Sequence, residues 1–472
     1  MDMHCHPALK PYGRSIKHGR ENKRNRNSRR SIWYYDPPTP KDKIFNYLGT
    51  VTKFSQSNFT SLAKGDVKII SACLYPPEKG FFSLNNNQGI LTDLALNFVL
   101  EFGIPRINEI QNYQDYFKDL EYEYDFYKQL DGKQIRLDHG RYQYSLTKNF
   151  GSIIQNLNNA GQNIISVVFS IEGAHVFNCG LDNPAKENEV LGNVAKVKNW
   201  DHRPLFISIA HHFYNELCGH AESLSPLLKE FLDQSLGMNT GFTDLGLKVM
   251  HDLLDNSEGK RIYIDIKHMS TRSREEYYNI IDSEYQNEPI PIIVSHGAVN
   301  AWKSFDDRQT QIPDSAGKFK EIDINIYDDE IVRIFDSRGF LGIQLDERRI
   351  ASEAELKQSG GRLSRRKILF HKSRLIWNQI RHIAEVLDKY GKFGWSTAVI
   401  GSDFDGIIDP INGYWTAEEL RFLDDYLLKH AYNYMSGDGK ILQLGTNRNI
   451  DPEEIINRFM YVNAYEFLER YY

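Results

Sequence analysis

Cysteine is scarce in this chain: Cys5, Cys73, Cys179 and Cys218 are scattered over 472 residues with no C-x-x-C spacing. That argues against a disulfide framework or a cysteine zinc site, and reduced thiols are the expectation. Long apolar runs are missing as well, since no stretch approaches the roughly 20 residues needed to span a bilayer. No signal peptide precedes the first motif, and the closing "YEFLERYY" offers no tail that could be exchanged for a lipid anchor. The expectation is a cytoplasmic protein with no membrane partner. Neither sign of charge dominates: 57 Lys and Arg against 63 Asp and Glu give a net charge of -6, which argues against general nucleic-acid binding. Tandem repeats, low-complexity tracts and an obvious linker are also absent, so a single domain over 1–472 is expected, with 41% hydrophobic residues to build its core.

What the chain does contain is alternation. Short β-branched runs, each ending in polar or titratable residues, are separated by segments with apolar residues three and four apart. The runs are "GDVKIISACLYP" (65–76), "NIISVVFSIEG" (163–173), "PLFISIAHH" (204–212), "RIYIDIKH" (261–268), "IPIIVSH" (290–296), "GFLGIQL" (339–345) and "STAVIGSD" (396–403). A first strand ending at His6 makes eight. Helical periodicity fills the gaps, as in "FGSIIQNLNNAG", "LGLKVMHDLLD", "DDEIVRIFDSRG" and "RLIWNQIRHIAEVLDKYG". Eight strands, each followed by a helix, predict an α/β fold of the (β/α)8, TIM-like barrel type. Its loops would be enlarged, with a basic insertion at about 13–35 and a C-terminal helical extension at about 415–472.

A barrel gathers the C-terminal ends of its strands at one face, so the residues there are candidates for chemistry. His4 and His6 end the first strand and point to the same side, being two residues apart. Glu172 ends the third run, His211 the fourth, His268 the fifth, His296 the sixth, and Asp403 the eighth. Imidazole and carboxylate are zinc-type ligands, and a carboxylate can share its oxygens between two ions. Glu172 is the natural bridge. One ion would be held by His4, His6 and Glu172, the other by Glu172, His268 and His296. His175, His212 and His220 are expected to pack or to orient the ligands.

At these residues the chain resembles the membrane (renal) dipeptidases of the amidohydrolase superfamily. The resemblance runs through "SIEGAH", "GFTDLGLKVMHDLLD" leading to "IYIDIKHMS", "PIIVSHG", "DDEIVRIFDSRGFLGI", "AVIGSDFDG" and the closing "DPEEIINRFMYVNAYEFL". It implies a binuclear zinc barrel that hydrolyses a dipeptide or a related small amide, in a homodimer. It also implies that Glu172 bridges two divalent ions, that His268 and His296 complete the second site, that His211 contacts substrate near the scissile carbonyl, and that Asp403 handles protons. Two zinc ions would bring a shared water to hydroxide near neutral pH for attack on the carbonyl.

Two positions depart from that pattern. His6 stands where the family has an aspartate, which makes the first metal site one charge more positive. After strand six, Asp323 and Ile324 stand where a double arginine would grip the substrate's carboxylate. Arg348 and Arg349, following strand seven in "DERR", are the candidates to replace it. The stretch 13–30 carries eight Lys or Arg against Glu21 alone, and it reads as a solvated, mobile loop, with a basic lid over anionic substrates as the alternative. Two other functions stay open: a metal-dependent enzyme acting on an N-acyl amino acid, cyclic amide or lactone, and a non-catalytic metal-binding protein.

Overall fold

Ile69–Leu74, "IISACL", is buried along its whole length, as expected of a parallel strand covered on both faces. The computed structural model describes residues 1–49, 52–82, 101–224, 226–360, 364–437 and 440–472. The chain forms two compact units that interleave in sequence, one taking in 6–60 and 68–290, the other 1–5, 61–67 and 291–472.

In the first of these, strands β2 (Ile69–Leu74), β5 (Asn163–Glu172), β6 (Phe206–Ser208) and β7 (Tyr263–Asp265) run parallel in that order. Their register sets Glu172 beside Ser208 and Ser208 beside Asp265. His211 and His268 therefore follow the ends of β6 and β7 at the same offset of three residues. Helices α1 (Leu9–Ser15), α2 (Tyr116–Lys128), α3 (Phe150–Leu157), α4 (Asp244–Leu254) and α5 (Thr271–Glu284) belong to the same unit. Their starts follow ordinary capping chemistry: the side chains of Asn149, Thr243 and Ser270 accept from the backbone N–H groups of Ser152, Gly246 and Ser273. On α4 the buried residues Gly246, Val249, Met250, Leu253 and Leu254 recur at three and four, the stripe read from the sequence.

A hairpin of β3 (Ile135–Leu137) and β4 (Gly140–Leu146) was not expected. β4 pairs in parallel with Asn163–Val167, the first half of β5, whose second half is taken by β6. The basic stretch also differs from expectation, because it is folded in place. Tyr12 and Ser15 are buried, Arg20 pairs with Glu109, Arg26 with Asp138, and Arg24 donates to the Gln134 carbonyl. Acids elsewhere in the chain supply partners that a local reading of 13–30 could not count.

In the other unit β8 (Ile293–Gly297), β9 (Phe340–Ile343) and β10 (Ala398–Ile400) are parallel neighbours in that order. β1 (Asp2–Cys5) joins this unit through a parallel bridge from Cys5 to Phe404 and a bond from Asp403 N–H to the His4 carbonyl at 2.9 Å. The Asp2 carboxylate accepts from Ser402 N–H at 3.0 Å and from Ser402 Oγ at 2.5 Å. Four residues are enough because a buried side chain anchors them. Helices α6 (Asp328–Asp336), α7 (Arg365–Lys389) and α8 (Asn463–Tyr471) complete the frame, α7 burying Leu375, Ile376, Ile383 and Leu387, and α8 setting Phe467 edge-on against Phe340.

The eight principal strands, four in each unit, follow the order of the expected (β/α)8, TIM-like class. Among the described residues no helix is long and apolar enough to cross a membrane. All four cysteines are buried thiols, none in a disulfide.

Candidate metal centre

Glu172, the last residue of β5, is buried among imidazoles. His6 Nε2 lies 3.2 Å from its Oε2, while His268 Nε2 at 3.2 Å and His211 Nε2 at 3.5 Å face its Oε1. Cys73, on β2, joins the group: a ligating atom from each of His6, Cys73 and Glu172 lies within 4.8 Å of the other two. His268 occupies a left-handed backbone position, φ 69°, and Gly173 follows Glu172 at φ 86°. Such conformations carry strain of about 1–3 kcal/mol in a non-glycine residue and persist where surrounding contacts dictate them.

The imidazoles in this cluster differ electrostatically. His268 is pushed well below its ordinary pKa by burial first and then by the positive charge of His211, so it presents a neutral ring with a lone pair. His211 goes the other way. Burial opposes its charge, but Glu78 and Glu172 outweigh that and raise it to about 9. Its Nδ1 donates to Glu78 Oε2 at 2.5 Å, and Glu78 also accepts from Phe213 N–H at 3.0 Å. Burial opposes ionisation of Glu78 too, yet the charge of His211 holds it down at about 2. The pair is an imidazolium and a carboxylate at neutral pH.

The second unit holds its own cluster. His4 Nε2 is 3.7 Å from Asp403 Oδ1, His296 Nε2 is 4.0 Å from Asp403 Oδ2, and the two imidazoles stack with centroids 4.0 Å apart. One ligating atom from each of the three lies within 4.8 Å of the others. Asp403, at φ 59°, lies three residues past β10, and Gln344 Nε2 donates to its Oδ2 at 2.7 Å. Ser295 Oγ meets His296 Nδ1 at 2.9 Å. A second partner of this kind fixes the ring orientation of a ligating histidine.

Each candidate from the sequence can thus be located. His6, Glu172, His211 and His268 gather in one unit, His4, His296 and Asp403 in the other. Of the weaker candidates, His212 meets Ser223 Oγ at 2.6 Å, His175 the Pro76 carbonyl at 2.8 Å, and His220 the carbonyls of Ala221 and Leu236. Arg348 is 3.4 Å from Asp346 and 4.0 Å from Asp409, and both Arg348 and Arg349 feel the charge of Asp403. Asp323 pairs with Arg308 at 3.0 Å and accepts from Tyr327 Oη at 2.5 Å. Glu78 and Gln344 were not foreseen. The signal for Glu78 was an acid in "YPPEKG", four residues past the end of β2.

The donors suit divalent ions: imidazole with carboxylate is the ligand chemistry of zinc and its neighbours, and a neutral His268 is in the protonation state that ligation needs. No known family model matches this sequence, and no curated protein matches it. Among solved structures, the chain is similar to dipeptidase AC, a metallopeptidase, with a TM-score of 0.50 at 12% identity over 92% of this chain and 94% of that one. A metallopeptidase from Rhodobacter sphaeroides, liganded with a phosphinate mimic of the dipeptide L-Ala-D-Ala, gives 0.48 at 11% identity over 92% and 95%. The probable dipeptidase PvdM from Pseudomonas aeruginosa gives 0.47 at 16% over 86% and 90%. At such identities what is held in common is architecture, and the chain has the (β/α)8 fold of dipeptidase AC.

Proposed function

We propose that this chain is a metal-dependent hydrolase of the dipeptidase type, cleaving a small amide such as a dipeptide. Its cofactor is a pair of divalent ions, zinc by the chemistry of the donors, with His4, His6, Glu172, His268 and His296 as ligands. The observation that carries the proposal is the Glu172 carboxylate, buried with three imidazole nitrogens within 3.5 Å. A structural role would not require so many titratable groups around one acid. The fold held in common with dipeptidase AC supports the same reading.

Divalent ions, when bound, supply a water acidified toward neutral pKa and a Lewis-acid charge for the scissile carbonyl. The protein's own part is orientation and proton handling. His211, kept cationic by Glu78, donates to the carbonyl oxygen as negative charge grows there. Asp403, steadied by Gln344, takes the nucleophile's proton and returns it to the departing amine. Arg348 and Arg349 hold the substrate's carboxylate, with Asp403's field reaching both. The placement of Asp323, an acid already engaged by Arg308 and Tyr327, favours a second reading in which the substrate lacks that carboxylate, as a cyclic amide or lactone does.

The test is metal analysis of the purified protein followed by activity profiling of the metal-loaded enzyme against dipeptides, N-acyl amino acids, cyclic amides and lactones. Retained divalent metal, lost in Glu172→Gln, together with hydrolysis of one class is expected. Protein that retains no metal, or that retains it and hydrolyses none of these, overturns the reading.

A further inference from the structure

Cys73 is a buried thiol on a polar face of the sheet. The register of β2 against β5 sets it beside Ser170, two residues before Glu172, and side chains two apart on a strand point the same way. Ser71 Oγ donates to Ser170 Oγ at 3.0 Å, and Ser208 on β6 stands beside Glu172. Ser71, Cys73, Ser170, Glu172 and Ser208 therefore line one face, all of them buried. A cysteine that only packs behaves as a small hydrophobe and belongs among apolar side chains. Here it stands in a row of hydroxyls and a carboxylate. One ligating atom from each of His6, Cys73 and Glu172 lies within 4.8 Å of the other two, and His6 Nε2 is 3.2 Å from Glu172 Oε2. A tetrahedral zinc, with bonds of about 2.0 Å to nitrogen and about 2.3 Å to sulfur, keeps two such donors about 3.5 Å apart. Donors already within 4.8 Å need to draw together by no more than roughly 1.3 Å. The thiol also meets the Leu74 carbonyl at 3.8 Å, a weak bond that a metal would displace.

We propose that Cys73 is a ligand of the divalent ion assigned to His6 and Glu172, giving that ion a mixed imidazole, carboxylate and thiolate set. The inference rests on the metal-dependent reading above and adds a donor to it. On binding, the S–H bond gives way to a sulfur–metal bond and the proton leaves to solvent. Sulfur changes which metal the protein takes, because thiolate favours zinc and its softer neighbours while manganese and magnesium prefer oxygen. The scatter of cysteines along the chain hides such a site. One thiol completed by residues from two other segments leaves no spacing to read.

Cobalt reports the bond directly, since a thiolate ligand adds an intense near-ultraviolet charge-transfer band that imidazole and carboxylate do not give. The full-length protein, stripped with chelator and reloaded with cobalt, should show this band beside the visible bands of the bound ion. Cys73→Ser should lose the ultraviolet band and keep the visible ones, whereas Cys5→Ser, Cys179→Ser and Cys218→Ser should keep both. In competition titrations Cys73→Ser should weaken zinc by about tenfold or more and manganese by less, so the preference for zinc over manganese falls. A packing role would leave that ratio alone. Cys73→Ala should match Cys73→Ser in both readouts, and melting curves of the metal-free variants should confirm that they are folded. Wild-type protein that binds cobalt without the ultraviolet band overturns the proposal and leaves the hydrolytic reading standing. A band that survives Cys73→Ser, or that is lost in Cys5→Ser instead, overturns it too. Protein that binds no cobalt at all overturns both.

Discussion

Asp403 joins its two neighbours from a left-handed backbone position, φ 59°, a conformation that asparagine adopts at least as readily as aspartate. Asp403→Asn therefore removes basicity while keeping the turn and the bond from Gln344. If Asp403 shuttles the proton, kcat should fall by roughly 10²- to 10⁴-fold with bound metal and melting temperature unchanged. Turnover at the wild-type rate would remove that role. Glu78 acts at one remove, through the hydrogen bond that keeps His211 charged. In Glu78→Gln the larger of the two anionic influences that raise His211 is gone while Glu172 remains, and its pKa should fall from about 9. Activity that needs a cationic His211 would then be lost at lower pH, so the basic limb of the kcat/KM profile should move down. A purely structural Glu78 would scale the profile without moving it. The expectation from sequence reached His211 because it follows a strand end. It could not reach Glu78, which lies 133 residues away in the chain and is brought to His211 by the fold alone.

The first strand shows how short an element can be when side chains secure it. β1 has four residues, and its hold on its unit comes from backbone bonds near Asp403 and from Asp2 bonded to Ser402, 400 residues away. If His4 is also a ligand, bound metal adds a second anchor to the same strand. Chelation should then speed amide exchange of Met3, His4 and Cys5 by about tenfold, a local loss of ~1.4 kcal/mol, without full opening because Asp2 remains. The interior of β5, held by pairing along its length, should not change. Equal exchange in β1 with and without chelator would contradict ligation by His4. The longer elements were legible for a plain reason. Strands buried on both faces read as apolar runs, and α4 and α6 read as stripes at three and four. The β3 to β4 hairpin did not, since β4 alternates half-exposed polar residues with only Tyr144 and Leu146 buried. Its pairing with the first half of β5 is a tertiary choice that local pattern does not encode.

At the scale of the whole molecule, burial of charge links folding to pH. Glu123, on α2, is buried and accepts from Tyr75 N–H at 2.8 Å. Burial raises its pKa from 4.5 to about 7, with the Tyr75 bond only partly offsetting that. The folded state therefore binds this proton more tightly than the unfolded chain does. Between pH 4.5 and 7 the folded protein holds a proton that the unfolded chain has released, so stability falls as pH rises through that window and does not recover above it. The shift corresponds to a loss on the order of 3 kcal/mol. Glutamine at this position keeps an oxygen for the Tyr75 N–H and has no proton to lose. Glu123→Gln should therefore show a smaller drop in melting temperature between pH 5 and pH 8 than the wild type, and be the more stable of the two at pH 8. His211, raised to about 9, also contributes stability that is lost at alkaline pH, but it is the same in both proteins and cancels in the comparison. An identical pH dependence in the two proteins would mean that Glu123 does not carry its proton into the folded state.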